Sequence, residues 1–183
     1  MTDPRFKAIP LGRPWCCAIE LSDGQRFLMR PIQPSDATLL QRGFLTLTPE
    51  EIRMRFLHPL TELSTDYAQQ LSEIDPAKEC ALVLVEAKPP PEARIAAVAR
   101  AAIDEDGFEA EFAIIVSREI RQFGLGRFLI QQLAAWARNR QLMALYGQVL
   151  KENTPMLKLM SEMGFSIEKN RQDSSVLIVR LDL

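Results

Sequence analysis

Gly124 and Gly126 stand one residue apart, after the apolar run Phe112-Ala113-Ile114-Ile115-Val116 and directly before a long amphipathic segment. Without Cβ atoms at these positions, a ligand can approach the main chain closely. The first N–H groups of a helix have no intrahelical acceptor and carry partial positive charge, so a diphosphate suits that end. Strand, glycine turn and helix occur here in the order that such binding needs. Taken alone, Gly-x-Gly before a helix is equally compatible with a simple tight turn.

Two other phosphate-binding designs share this logic and can be tested on residues. A P-loop needs Gly-Lys-Ser or Gly-Lys-Thr after the turn, whereas Gly126 is followed by Arg127-Phe128. A dinucleotide fold asks for a third glycine three residues after the second and an acidic residue ending the next strand. Leu129 and Gln148-Val149-Leu150 occupy those places.

Arg121, Gly124 and Gly126 meet in full the pattern Arg/Gln-x-x-Gly-x-Gly/Ala, and here the sequence resembles the GNAT acetyltransferase superfamily. The resemblance continues through Asn153 and the Gly164-Phe165 pair and spans about residues 25 to 183. It is nearest to the acetyltransferase domain of bacterial protein-lysine acetyltransferases, without the acyl-CoA-synthetase-like module often fused to it. The resemblance implies acetyl-CoA as co-substrate and no metal. It implies that backbone groups of Ile114, Ile115 and Val116 pair with the pantetheine arm as an extra strand. Gln122, Phe123, Gly124, Leu125, Gly126 and Arg127, after Arg121, would hold the pyrophosphate, and Asn153 would contact the same cofactor. Physically, a splayed pair of parallel strands leaves N–H and C=O groups that an amide-bearing pantetheine can satisfy, and one freed N–H can polarise a thioester carbonyl.

An amine acceptor must lose a proton. A lysine with pKa about 10.4 is neutral in roughly 0.04% of molecules at pH 7, a cost of about 4.6 kcal/mol that a base near the thioester recovers in part. Glu111, three residues before Ile114 on the cofactor-binding strand, is the expected base, directly or through a water. The related lysine acetyltransferases resemble it in having Glu within Ala-Glu-Phe; Glu109, on the same face, is the rival. Many superfamily members protonate the thiolate with a tyrosine four residues before the Gly of Gly-Phe, where this chain has Met160. A thiol of pKa about 8.5 leaves as thiolate at a cost of only about 2 kcal/mol, so the missing acid is tolerable.

His58 could line an acceptor entrance, but ordering the loop after the second helix is its blander role. Arg53 and Arg55 could meet an acidic patch on a protein substrate, but one arginine on a solvated helix face and one in a structural ion pair is the blander expectation. Cys16, Cys17 and Cys80 fit neither a disulfide framework nor a zinc site, and none lies in the motif. Direct transfer therefore fits better than a cysteine-bound intermediate.

Several elements must position these residues. Cys17 to Leu21 and Arg26 to Ile32 read as a hairpin around Asp23-Gly24. Ser35 or Asp36 can cap a helix carrying Leu39, Leu40 and Phe44, while Thr48-Pro49-Glu50-Glu51 is a capping box opening a second helix to about Phe56. Ser64 opens a third through Tyr67, Leu71 and Ile74. Ala81 to Val85, Ile95 to Ile103 and Glu109 to Val116 read as a meander, with the prolines at 89 to 91 making a stiff exposed turn. Gly124 to Arg140 is the best helix; Leu145 to Leu150 is a strand, Thr154 to Met163 a helix stopped by Gly164, and Phe165 to Ile167 with Val176 to Leu181 closes the sheet. The fold class is α/β (α+β): a GNAT-like, mixed, mostly antiparallel central sheet of about 6–7 strands flanked by helices on both faces. Residues 1–183 form a single domain, with 1–16 an extended N-terminal arm and the core at about 25–183.

Twenty-two Lys and Arg against 24 Asp and Glu give a net charge of −2 and no basic block, which argues against nucleic acid. Met1-Thr2-Asp3-Pro4 starts no signal core and no apolar run approaches the ~18 residues of a membrane span, so a cytoplasmic protein is expected. The expected activity is acetyl transfer from acetyl-CoA to a primary amine, a protein lysine first and a small amine second, by a monomer or homodimer. The competing class is a non-catalytic acyl-CoA-binding regulatory module, suggested by Met160.

Overall fold

The computed structural model describes residues 3–89 and 92–183. Met1 and Thr2 of the N-terminal reading, and Pro90 and Pro91 of the proline turn, lie outside the described residues. The strands are β1 (Phe6–Pro10), β2 (Cys17–Leu21), β3 (Arg26–Pro31), β4 (Glu79–Glu86), β5 (Ile95–Ile103), β6 (Glu109–Val116), β7 (Ala144–Leu150), β8 (Ser166–Lys169) and β9 (Val176–Asp182). They form one sheet in the order β1-β2-β3-β4-β5-β6-β7-β9-β8. Every neighbouring pair is antiparallel except β6 and β7.

Helices α1 (Ala37–Phe44), α2 (Pro49–Phe56) and α3 (Thr65–Ser72) connect β3 to β4, α4 (Leu125–Asn139) follows β6, and α5 (Thr154–Glu162) follows β7. Alternation along β4 shows why both faces need cover. Cys80, Leu82 and Leu84 enter the core that contains Leu129, Leu133 and Ala137 of α4, whereas Ala81, Val83 and Val85 enter a second core with Leu40 of α1. Ala37, Phe44, Ile52 and Ala68 close a third cluster among the first three helices.

The sheet is wider than the 6–7 strands expected. Its outermost strands, β1 and β8, are mostly exposed; β1 has no buried face to mark it in the sequence, and β8 extends past the expected Phe165 to Ile167 as far as Lys169. The arm at 1–16 is extended, yet residues 6–10 pair with β2, and Phe6 meets the Phe128 ring edge-on at 5.3 Å. The core therefore starts well before residue 25. Asp36 precedes α1 but does not cap it with its side chain. The buried carboxylate turns back to Arg30 at 2.7 and 2.8 Å, where a charged partner outcompetes a cap N–H. Helix α3 stops at Ser72 rather than running through Ile74, and the Ser72 hydroxyl donates to the Gln69 carbonyl at 2.9 Å.

Gly147 forms the last rung between β6 and β7, opposite Phe112. A Cβ there would come 2.8 Å from the Phe112 ring, which is held edge-on against Phe165 at 5.7 Å. Gly147→Ala is therefore expected to lower stability by about 1–3 kcal/mol through overpacking. A denaturant titration checks this, and an unchanged midpoint would show that the ring yields freely.

Candidate active site

Strands β6 and β7 share only the rungs from Glu109↔Ala144 to Phe112↔Gly147, while β6 remains paired with β5 up to Val116. From Ala113 onward the β7-facing edge of β6 is open. Asp104 N donates to Glu109 O and Ser117 N to Ala96 O, so odd-numbered residues of β6 turn their backbone to β5 and even-numbered ones to the opening. Ile114 thus presents both its N–H and its C=O to the cleft, and Val116 its N–H. The Val116 carbonyl accepts from Arg121 Nε at 2.9 Å. Ile115 differs from the sequence expectation: its backbone faces Val98, and its side chain is what reaches the cleft.

At the cleft's end, a 3-10 turn over Arg118–Phe123 leads into α4, with Gly124 between them at φ 78°. A glycine turn was legible in the sequence; the 3-10 segment was not. Phe123 and Leu125 are buried, so their side chains anchor the loop and only their main chain is available to a ligand. The first amides of α4, at Leu125, Gly126 and Arg127, have no preceding turn to bond within the helix. A Cβ at Gly126 would meet nothing closer than Leu159 Cδ2 at 3.7 Å and Val116 Cγ2 at 3.9 Å. The bare Gly126 backbone therefore faces the cleft.

The neighbouring charged side chains have partners. Arg127 is ion-paired with Glu162 of α5 at 2.6 Å, and the Gln122 side chain donates to the Glu119 carbonyl at 3.0 Å. Asn153 caps α5, its side-chain oxygen accepting from Met156 N at 3.2 Å, and it borders the cleft. Arg5 was not singled out in the sequence. It donates to the Gln122 carbonyl at 3.1 Å and is held by Asp3 at 2.7 Å. Its guanidinium lies over Gly124, where a Cβ would come within 2.9 Å of Asp3 Oδ2. Hydrogen bonds from Arg5 hold the Asp3 carboxyl down at about 2.

Helix α2 is tied to the same loop through Glu51. The expected capping box forms, with Glu51 N donating to Thr48 Oγ1 at 3.2 Å and Thr48 N to Glu51 Oε2 at 2.9 Å. The same carboxylate binds Arg118 at 3.0 Å and Arg121 at 2.7 Å. Arg121 of the glycine motif thus spends its side chain on α2 and on Val116. Burial alone would raise the Glu51 carboxyl, but the Thr48 N–H, Arg121 and Arg118 outweigh it and hold it below 4.5. Its ion pairs therefore contribute stability that is fully present above about pH 4.5 and lost as pH falls through the lowered folded value. Hydrogen exchange at residues 48–56 and 118–124 is expected to accelerate over that acid window beyond its intrinsic pH dependence. In Glu51→Gln those amides should already exchange fast at neutral pH, and parity with the wild type would contradict the link.

On the α2-facing side of the sheet, Gln148 Nε2 donates to Glu111 Oε1 at 2.9 Å. Glu111 stands back from the cleft, but Gln148, one rung beyond the last pairing, borders it. The rival Glu109 is clamped by Arg180 through bonds of 2.6 and 2.8 Å, which hold its carboxyl below the ordinary range. It is tied up as a structural ion pair. Tyr146 donates to Asp104 at 3.1 Å, and burial followed by that bond pushes its hydroxyl well up. Met160 is fully buried in the core, so its position offers no proton donor.

Arg53 forms an ion pair with Glu152, joining α2 to the end of β7 across the cleft. Arg55 is not on a solvated face. It is half-buried, and desolvation followed by the like charge of Arg100 pushes it down to about 10, with Tyr67 and Glu111 near enough to act against this. His58 is exposed, and its ring bonds the Pro59 carbonyl at 3.1 Å, as a loop-ordering residue would. Cys80 is buried and pushed up to about 12 by desolvation, and desolvation also raises Cys17. These thiols are poor nucleophiles. Among the described residues there is no group of His, Cys, Asp and Glu that could hold a metal, and no helix long and apolar enough to cross a membrane.

Two cavities meet here. A cleft of about 860 Å³ runs between the open β6 edge, the start of α4 and α5, and one of about 340 Å³ lies between β5 and helices α1–α3. Glu51, Arg55, Ile115 and Arg118 border both.

Known proteins are similar to this chain in sequence or in fold. Acetyltransferase PA5475 of Pseudomonas aeruginosa is 29% identical over 164 residues, covering 89% of this chain and 87% of the relative. The crystal structure of the GNAT domain of S. lividans PAT has a TM-score of 0.79 at 24% identity, with 96% of this chain and 99% of that one covered. Spermidine N-acetyltransferase from Vibrio cholerae, solved with CoA and spermine, has a TM-score of 0.66 at 20% identity, covering 85% and 95% of the two chains. Residues 47–165, which hold the capping box, the open strand and the glycine turn, match the acetyltransferase (GNAT) family. With that match spanning most of its length, the chain belongs to the GNAT family of acetyltransferases.

Proposed function

We propose that the protein transfers the acetyl group of acetyl-CoA to a primary amine by direct attack, with Glu111 as general base. The observation that carries the reading is the parting of β6 from β7 after Phe112↔Gly147, which opens unpaired main-chain groups onto the amide-lined start of α4. Acetyl-CoA supplies an activated acyl group as a thioester. The chain's residues supply the rest. Ile114 offers a donor and an acceptor to a pantetheine amide, and the Val116 N–H a second donor. Amides of Leu125, Gly126 and Arg127 face the diphosphate, with the α4 dipole behind them. Arg5, paired with Asp3, holds the loop by donating to the Gln122 carbonyl beside Gly124.

The acceptor nitrogen bonds to the acyl carbon while the carbon–sulfur bond breaks and its electron pair leaves on sulfur. The proton lost by nitrogen passes through a water beside Gln148 to Glu111, since Gln148 borders the cleft and already bonds that carboxylate. The buried, high-pKa Cys80 and the absence of any cysteine from the cleft lining support transfer without an enzyme-bound acyl group.

The test is incubation with radiolabelled acetyl-CoA and a panel of amines and lysine-bearing proteins. Label is expected in an acid-stable amide of one acceptor. Tight cofactor binding with no labelled acceptor across the panel would favour a regulatory module instead.

A further inference from the structure

Four arginines and three glutamates border the smaller cavity. Nearly all have partners. Glu51 binds Arg118 and Arg121, and Glu86 binds Arg94 at 3.0 Å with Lys88 Nζ 3.2 Å from its other oxygen. Glu119 lies 3.9 Å from Arg94, and Arg100 is held by Glu79 at 3.2 Å. Arg55 is different. Among the described residues it makes no hydrogen bond or ion pair, and its guanidinium carbon sits 4.9 Å from the ring of the adjacent Phe56. It is half-buried, on the boundary shared with the acetyl-donor cleft, with a second arginine, Arg100, close by.

A partly desolvated cation without a bonded counterion is costly, and a second like charge adds to that cost. Glu111 offsets this only without contact, so an anion bonded directly to the guanidinium would be favoured. The planar guanidinium suits a carboxylate, which it can grip through parallel N–H bonds. The other groups facing Arg55 are Tyr67 on α3 and Glu111 on β6. Arg55 borders both cavities, and Glu111, which lines neither, is reached through Gln148 at the edge of the donor cleft. The rest of the cavity is walled by apolar residues such as Leu40, Phe44, Leu63 and Leu71, and its volume of about 340 Å³ suits a small molecule rather than a folded surface.

We infer that the acceptor is an α-amino acid with an apolar side chain, its carboxylate held by Arg55 and its amino group turned towards Glu111 and the donor cleft. This rests on the acetyl-transfer reading above and names its substrate class. The reaction balances as amide formation: the N–C bond forms, the C–S bond breaks, sulfur keeps the electron pair and Glu111 takes the proton.

The experiment compares L-leucine and L-phenylalanine with 3-methylbutylamine and 2-phenylethylamine, which lack only the carboxylate, and with a lysine-containing peptide. The wild type should prefer each acid over its decarboxylated partner by about 10- to 100-fold in kcat/KM, the range of a hydrogen-bonded charged pair. In Arg55→Met that ratio should collapse towards one, and Arg55→Lys should restore part of it. Binding of the same four compounds in the presence of coenzyme A, with melting temperatures of the variants, gives a second readout. Carboxylate-selective binding without acetylation of any amine would sink the transferase reading and leave the ligand class standing. Equal binding and turnover of acids and amines, preference for the peptide, an Arg55→Met ratio like the wild type's, or no binding of any of the four would overturn the inference.

Discussion

Replacing Glu111 with glutamine is expected to lower kcat/KM for the amine acceptor by about 10²–10⁴-fold, the usual contribution of a positioned base. The ground for so large a loss, read on an alkylamine acceptor of pKa about 10.4, is the roughly 4.6 kcal/mol such an amine needs to reach its neutral form at pH 7. Glutamine keeps the volume and a hydrogen bond to Gln148 but cannot take a proton. The KM for acetyl-CoA should barely move, because Glu111 stands outside the donor cleft. Between pH 7 and 9 the variant's rate should climb by close to tenfold per unit, following the acceptor's own deprotonation. A variant as fast as the wild type at pH 7 would reduce Glu111 to a solvated carboxylate. Glu109 is no substitute, since Arg180 grips both of its oxygens.

Gly126→Val should abolish productive cofactor binding while leaving the fold intact. The helix accepts a Cβ at this position, where the nearest atoms are at ordinary contact distance. Its branches would nonetheless stand where the diphosphate must approach the amides. Losing charge-assisted bonds of about 1.5–3 kcal/mol and forcing the ligand outward should weaken acetyl-CoA binding by at least about 100-fold. The melting temperature should shift by only a few degrees. Gly124 would be a poorer test, because its φ of 78° and the overlying Arg5 guanidinium would make any side chain damage the loop itself.

Local signals account for what was legible in the sequence. Apolar alternation and turn residues place β5 and β6 at their observed limits, Ile95–Ile103 and Glu109–Val116. The Thr48 box and Gly164, at φ 85°, mark helix ends because a single side chain or a missing Cβ decides them. Strand β1 escaped because an exposed edge strand carries no buried stripe, and β8, read as Phe165 to Ile167, runs on to Lys169 for the same reason. At the site, the glycines and Glu111 stand in a motif that one short segment contains. Its supports come from far along the chain: Glu51 grips Arg121 70 residues away, Gln148 meets Glu111 across 37, and Arg5 reaches Gln122 across 117. Such pairings depend on the sheet order rather than on any spacing. The backbone orientation of Ile115 likewise followed only from the register of β5 against β6.

Calorimetric titration with coenzyme A, set beside pantetheine, tests the amide-lined diphosphate site most directly. The expected result is one coenzyme A per chain, bound at least about 100-fold more tightly than pantetheine, since only the former carries the diphosphate. Equal affinity for the two, or no heat with either, would contradict it.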